Sequence, residues 1–383
     1  MLRVEFNSSA GQSIGVEVEY GIVSRDTGEL IPVSSEILDE LTGGTEHPKA
    51  KNELFQPSLE VITGICSTPA EAMADLASTV AEIQPLLRKR DLGLVSTGTH
   101  PFSHWDGVPV TPNPRYLQLI DTMQWPAQRL LIHGIHVHVG IRSPEKAIIT
   151  TNVAAMYLPI FLALSASSPY WLGRDTGLAS ARTKIFEGLP TTGIPPQLSG
   201  WNAFNDLLDT LVHAGTIETV REVWWDIRPH PDFGTVEFRM CDGMTDLREV
   251  ATVAALAQCL VAWIDDWVDN ERPIKLLPEW MLRDNKWRAC RKGIDAHLII
   301  DEKGTTQPLV ERLESLIELL MPYAIELGCT EELLRAGQIV QRGPSYIRQR
   351  QLVADGKTLP EVVNELVEET DEGVAAYLTQ EEA

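Results

Sequence analysis

A chain of 383 residues can bury a large core, and 44% hydrophobic with 22% charged residues is the make-up of an ordinary globular protein. Its formal net charge of −22 repels nucleic-acid backbones and anionic membrane surfaces, so neither is an expected partner. A small anionic ligand stays admissible where metal ions or a few arginines invert the field locally.

The first informative stretch is residues 15–21, GVEVEYG. Val16, Val18 and Tyr20 alternate with Glu17 and Glu19, the period of a strand with two unlike faces. Both carboxylates leave on one face, roughly 7 Å apart at about 3.3 Å of rise per residue, which suits two acids reaching around shared cations. Taken alone, a solvated acidic face is the plainer reading. Residues 25–28 predict a turn, and 34–41 a short helix broken at Gly43-Gly44. A second strand is expected over 58–63, introduced by residues 51–54. Thr68-Pro69-Ala70-Glu71 is a capping box with proline at the first helical position, and Met73, Leu76, Val80 and Ile83 then form one stripe. Pro85 is expected to end or kink that helix.

A strand over 93–96 leads into the loop Gly98-Thr99-His100-Pro101-Phe102, and Pro112, Pro114 and Pro126 mark a loop-rich excursion. Residues 134–140, GIHVHVG, form another alternating strand with His136 and His138 on one side. Ser143-Pro144-Glu145 caps an apolar helical stretch to about residue 166, with Pro159 inside it. Residues 176–196, rich in Gly and Pro, hold Arg182 and Lys184 in a loop of a length that is more often functional than idle. A helix over 201–213 is followed by a strand over 224–228, a tight connection through Pro229, Pro231 and Gly234, and a strand over 235–240. The short spacing predicts an antiparallel hairpin. Beyond Asp246 the chain is mainly helical, over 247–268, 286–294 and 309–327. Strands joined by short turns and then a run of helices make an α+β pattern, in one domain that is sheet-rich to about residue 245.

Five cysteines (Cys66, Cys241, Cys259, Cys290, Cys329) are scattered without C-x-x-C spacing and read as free thiols of a reducing compartment. The first residues, MLRVEFNSSAG, lack an apolar signal region, and the best apolar runs, over 153–166 and 251–264, fall short of a membrane span. A cytoplasmic protein is therefore expected.

Three strands carry polar residues at alternate positions: Glu17/Glu19, His136/His138 and Thr235/Glu237/Arg239. Glu53 and Glu60 add two acids flanking the second strand. Placed on one side of one sheet, these groups converge on a surface of oxygen donors with imidazole, which suits Mg²⁺ or Mn²⁺ better than a structural zinc. Separately, the histidines could be satisfied core groups, and Glu237 beside Arg239 an ordinary same-face ion pair. Together they make a sheet face that must be wet, paired or metal-filled. Hard cations beside arginines in an acidic chain point to phosphates. The common phosphate cradles are missing, since Gly356-Lys357-Thr358 is preceded by Gln351 where a P-loop needs glycine.

The runs IGVEVEY, ELFQPSLEVITGIC, GTHPF, GIHVHVG and above all WWDIRPHPDFGTVEFRMCD resemble the bacterial carboxylate–amine ligases, the glutamate–cysteine ligase type 2 family. ALSASSPYWLGRDTGLASAR and RPIKLLPEW extend the resemblance, which thins after about residue 300. It implies a glutamine-synthetase-like fold, an antiparallel sheet funnel with helices packed outside, and ATP-dependent amide formation through an acyl phosphate. By motif, it implies Glu17, Glu19, Glu53, Glu60, His136 and Glu237 as metal ligands. Arg239 with Glu237 falls at the chemistry, and Arg182, Arg228 and His138 at substrate or nucleotide. Gln56 stands where many relatives carry glutamate, which bears on the charge of the innermost cation site. The implied partners are ATP with Mg²⁺ (or Mn²⁺) and amino acid substrates, and a homodimer is compatible with the resemblance. A metal-dependent hydrolase using His136 and His138, or a nucleotide-binding sensor without turnover, are the competing readings.

Overall fold

The computed structural model describes residues 3–378. Strand β1 (Ile14–Ser24) buries Ile14, Val16, Val18, Tyr20 and Ile22 and leaves Glu17 and Glu19 half-buried on its other face, as the alternation predicts. Helix α1 (Ser34–Thr42) ends at Gly43, whose φ of 66° is the left-handed value that glycine adopts without strain. The segment expected only to introduce the second strand is itself strand β2 (Ala50–Asn52), followed by β3 (Ser58–Ile62).

Helix α2 (Pro69–Arg88) is capped by Thr68, which accepts the Glu71 N–H, while the Glu71 carboxylate accepts from Ser67 N–H at 2.7 Å. Pro85 does not end it. The proline falls in the last turn, which still closes from Lys89 N–H to the Pro85 carbonyl (3.2 Å).

Strand β4 (Leu92–Val95) precedes the excursion around residues 112–126, which contains helices α3 (Pro114–Met123) and α4 (Trp125–Gln128) rather than loop alone. Pro114 and Pro126 stand in first helical turns, where they initiate instead of break, and α3 fully buries no side chain. Strand β5 (Gly134–Gly140) is followed by α5 (Pro144–Ala154) and α6 (Leu158–Ser165), so the helical stretch to 166 is two helices bent by 64° just before Pro159.

A ribbon of β6 (Tyr170–Trp171) and β7 (Arg174–Asp175) follows, and α7 (Ala181–Phe186) interrupts the 176–196 loop. After α8 (Trp201–His213), β8 (Ile227–His230) and β9 (Thr235–Asp242) form the expected hairpin. β8 starts later than expected and runs through Pro229, which an edge strand tolerates. Then come α9 (Leu247–Asp269), α10 (Glu279–Lys292), the ribbon β10 (His297–Ile299) with β11 (Thr306–Pro308), α11 (Leu309–Glu326), α12 (Thr330–Arg342), α13 (Ser345–Ala354) and α14 (Leu359–Leu378).

The main sheet is antiparallel in the order β2-β3-β1-β5-β9-β8, with β4 on the C-terminal half of β1. Helices α2, α6 and α9 pack on its apolar face. One core cluster joins Val18, Val137 and Phe238 of the sheet to Leu76, Phe161, Leu256 and, further out, Leu333 and Tyr377. Each fully buried side chain of this size stabilises by about 1.5–3 kcal/mol. Contrary to the sequence expectation, α9 is long and apolar enough to cross a membrane by composition. Of its apolar window, 89% is buried inside the protein, the signature of a core helix. With the apolar face covered by helices, the opposite face is free to carry charge.

Candidate active site

Register decides what meets on that face. Glu19 lies opposite Glu60, which lies opposite Lys51, and Glu17 lies opposite His136. His138 lies opposite Glu237, and Glu237 opposite Arg228. A bulge shifts the β5–β9 register, so that Ile135 pairs Cys241 while Val137 pairs Phe238. Arg239 and Met240 are thereby set against the single residue His136.

The donor atoms fall into three overlapping groups: Glu17/His138/Glu237, Glu17/Glu60/His136 and Glu19/Glu53/Glu60, with ligand atoms in each group within 4.8 Å of one another. His136 Nδ1 is 2.8 Å from Glu17 Oε2 and 4.0 Å from Glu237 Oε1, and its Nε2 is 4.0 Å from Glu19 Oε1. His138 Nε2 is 3.5 Å from Glu17 and 3.7 Å from Glu237, while its Nδ1 is fixed by Thr235 Oγ1 at 2.9 Å. Every acid expected at the metal, together with His136, is brought together here. His138, expected at substrate, shares a donor group as well. Gln56 belongs to none of the three groups; it sits in the turn between β2 and β3, its N–H on the Pro109 carbonyl.

Charge is distributed unevenly across the face. Burial works against ionisation of Glu17, yet the hydrogen bond from His136 and the nearby His138 imidazole hold its carboxyl well below the usual range. Burial opposes ionisation of Glu237 too, and the Arg228 and Arg239 guanidiniums overcome it. At the other end, burial and the neighbouring Glu19 push Glu53 up to about 7. Burial, Glu17 and Glu53 raise Glu60 well above the normal range despite Lys51 at 2.5 Å. Burial, reinforced by Arg239, keeps His136 neutral to lower pH than usual. A neutral imidazole beside ionised carboxylates is the donor chemistry of a divalent-cation site. His138 Nε2 is buried, aimed between two carboxylates and without a hydrogen bond, so the residues present fit a hard cation.

The three arginines differ. Arg228 gives Nε to Glu237 Oε2 (2.5 Å) and Nη1 to the Val223 carbonyl (2.9 Å). Arg239 pairs with Glu237 Oε1, and its Nε is buried without a partner. Arg182 lies beneath Gly134 with Nε unpartnered, its terminal nitrogens 3.5 Å from the Arg239 carbonyl and its guanidinium 5.7 Å from the Phe186 ring centre. A Cβ on Gly134 would stand 2.2 Å from Arg182 Nη2, and the Gly134 N–H donates to Glu19 (2.6 Å). That glycine was legible only as the start of a strand. Asp242, missed in the sequence, accepts from Ser168 and Ser180 hydroxyls (2.6 and 2.7 Å); Ser168 in turn accepts the Arg182 N–H, so this network sets α7 and its arginine. Also missed were Lys51, whose role depends on register, and Tyr116 on α3, whose phenol is raised by burial and by Glu53.

Comparison with known proteins puts the molecule among the carbon–nitrogen ligases that join an acid to an amino acid. The profile of glutamate–cysteine ligase family 2 matches residues 13–370, and the chain belongs to that family. It is 48% identical over 376 residues to a protein of Frankia casuarinae provisionally named glutamate–cysteine ligase 2-1, covering 97% of this chain and 98% of that one. The corresponding Thermobifida fusca protein is 46% identical over 378 residues, with 98% and 95% covered. Among solved structures, the glutamate–cysteine ligase of Francisella tularensis, in complex with AMP, aligns with a TM-score of 0.73 at 12% identity over 98% of this chain and 92% of that one. The bifunctional glutathione synthetase of Pasteurella multocida gives 0.66 at 14% identity over 96% and 52%. At such identities the likeness shows the fold, which is that of a glutamate–cysteine ligase.

Proposed function

We propose that this chain, an ATP-dependent carboxylate–amine ligase, joins the side-chain carboxylate of glutamate to the amine of cysteine, forming a γ-glutamyl amide through an acyl phosphate. One observation carries the reading: three cation-sized donor groups share Glu17 and Glu60 along a single sheet face and end at an acid clamped by two arginines. Glu17, Glu19, Glu53, Glu60, His136, His138 and Glu237 are the residues that would hold Mg²⁺. In that setting Mg²⁺ supplies charge neutralisation and Lewis-acid polarisation at phosphate oxygens.

The glutamate carboxylate attacks the γ-phosphorus, ADP leaves, and the amine displaces phosphate from the acyl phosphate. Arg239, with a buried unpartnered Nε, stabilises charge on the transferring group, and Arg228 holds Glu237 in place. Arg182, whose Nε is unsatisfied, receives a substrate carboxylate or phosphate. The whole chain acts as one catalytic domain. Five free thiols, including Cys259 and Cys329 at 3.5 Å, suit the cytoplasm.

The test is ADP release with ATP, Mg²⁺, glutamate and cysteine. It is expected to require both amino acids and to be abolished in Glu237→Gln and His136→Ala. Wild-type turnover in either variant places the chemistry elsewhere. A hydrolase would act without ATP, and a sensor would bind ATP and release nothing.

A further inference from the structure

The tip of the β8–β9 hairpin carries a feature that the chemistry above does not use. Phe233 is 60% exposed, although it stands against His138 of the donor face. Its ring is stacked on His230 with centroids 4.2 Å apart and planes 10° from parallel. Both rings meet His138 edge-on, at 5.5 Å for His230 and 5.6 Å for Phe233. His138 is the group whose Nε2 points between Glu17 and Glu237. One side of His138 therefore faces the cation donors, and the other abuts an aromatic pair of which one member is open to solvent.

The pair is held from outside. Asn7 N–H donates to the Pro231 carbonyl and Asn7 Nδ2 to the Asp232 carbonyl, each at 3.0 Å, and Ser9 Oγ donates to the Gly234 carbonyl at 3.0 Å. Gly234 has a φ of 66°, and a Cβ there would fall 1.6 Å from the Asn7 carbonyl oxygen, so the N-terminal segment lies flat on the turn. A turn fixed in this way presents its ring without an ordering penalty at binding. Trp125, 55% exposed on the short α4, is a weaker platform because the Arg129 guanidinium covers its ring at 4.1 Å.

We infer that Phe233, backed by His230, is the stacking platform for the aromatic base of the nucleoside triphosphate, with the phosphates running past His138 onto the donor groups. The inference rests on the reading that this chain uses ATP. It adds the base-recognition residues, which lie outside the metal and phosphate machinery. Stacking on one ring discriminates little between bases, so the site is selective for a base-bearing phosphate over inorganic phosphates rather than for adenine over guanine.

Calorimetric titration of the full chain with magnesium ADP and with magnesium pyrophosphate separates the platform from the phosphate site. Phe233→Ala is expected to weaken ADP roughly 10-fold, within the range of base–aromatic stacking, and to leave pyrophosphate unchanged. Phe233→Trp is expected to restore ADP binding. ADP affinity within about twofold of wild type in Phe233→Ala, or equal losses for ADP and pyrophosphate, overturns the platform. So does a wild-type chain that binds pyrophosphate as tightly as ADP. ADP release by the wild type is measured alongside: its absence with the ADP shift intact sinks the ligase reading alone, and its presence with no shift sinks the platform alone.

Discussion

Glu53→Gln is expected to make the metal-free protein more stable while removing its turnover. The Glu53 carboxyl is pushed from an ordinary value of 4.5 to about 7 by burial and by the Glu19 charge. The unfolded chain releases this proton near 4.5 and the folded chain keeps it to about 7, so the folded state binds more protons between those values and loses stability as pH rises through them. At about 1.4 kcal/mol per pH unit the full penalty above pH 7 is about 3 kcal/mol, and partial solvent screening reduces it to about 2. Spread over 383 residues, that corresponds to a gain of about 2–3 °C in Tm for the glutamine variant at pH 8. Thermal unfolding with a chelator present, at pH 5 and pH 8, reads this directly, and the gain is expected to shrink to about a quarter at pH 5, half a unit above the unfolded value. Millimolar Mg²⁺ is expected to reverse the order, because the wild-type carboxylate then has a cation to bind. A variant less stable than wild type at pH 8 in chelator, or an increment equal at both pH values, refutes the account of strained like charges awaiting a cation.

Gly134→Ala places a Cβ against the Arg182 guanidinium, and its displacement is expected to lower ADP release on the order of 10- to 100-fold with the fold intact by circular dichroism; unchanged steady-state constants would remove Arg182 from the site. Lys286 on α10 is buried between Asp226 (2.7 Å) and Glu187 (2.7 Å); Glu187 keeps Lys184 at 2.5 Å, so Lys286→Met strands the buried Asp226 carboxylate and is expected to cost about 3–5 kcal/mol in denaturant unfolding. Adding Asp226→Asn to that variant recovers part of the loss if the pair is the cause. Replacing all five cysteines is expected to leave ADP release measurable wherever the variant folds, since no thiol lies in the donor groups; a folded variant without turnover would implicate a thiol in the chemistry.

The helices were legible where periodicity and a cap agreed, as for α2, and illegible where proline was read as a breaker, as for α3 and α4. Proline has opposite meanings in the first turn and in the interior of a helix, and the local sequence alone did not say which applied. The strands β1, β5 and β9 were visible because alternation is a local property, and it already separated their carboxylates and imidazoles from the core-facing valines. Gly134 and Asp242 stayed hidden because each acts on a residue tens of positions away or more, Lys51 because only the β2–β3 register sets it against Glu60, and the His230–Phe233 pair because only a folded turn creates the ring stacking.

What the amino-acid order determined by itself was the inventory and its sidedness: which strands exist, which of their residues face away from the core, and which family they resemble. Tertiary structure alone decided the neighbours. It set Glu19 against Glu60 and His138 against Glu237, and it used one bulge to bring Arg239 beside His136. Pairing across a sheet depends on register between distant segments, and register is set by the packing of the whole apolar face, a quantity no single strand contains.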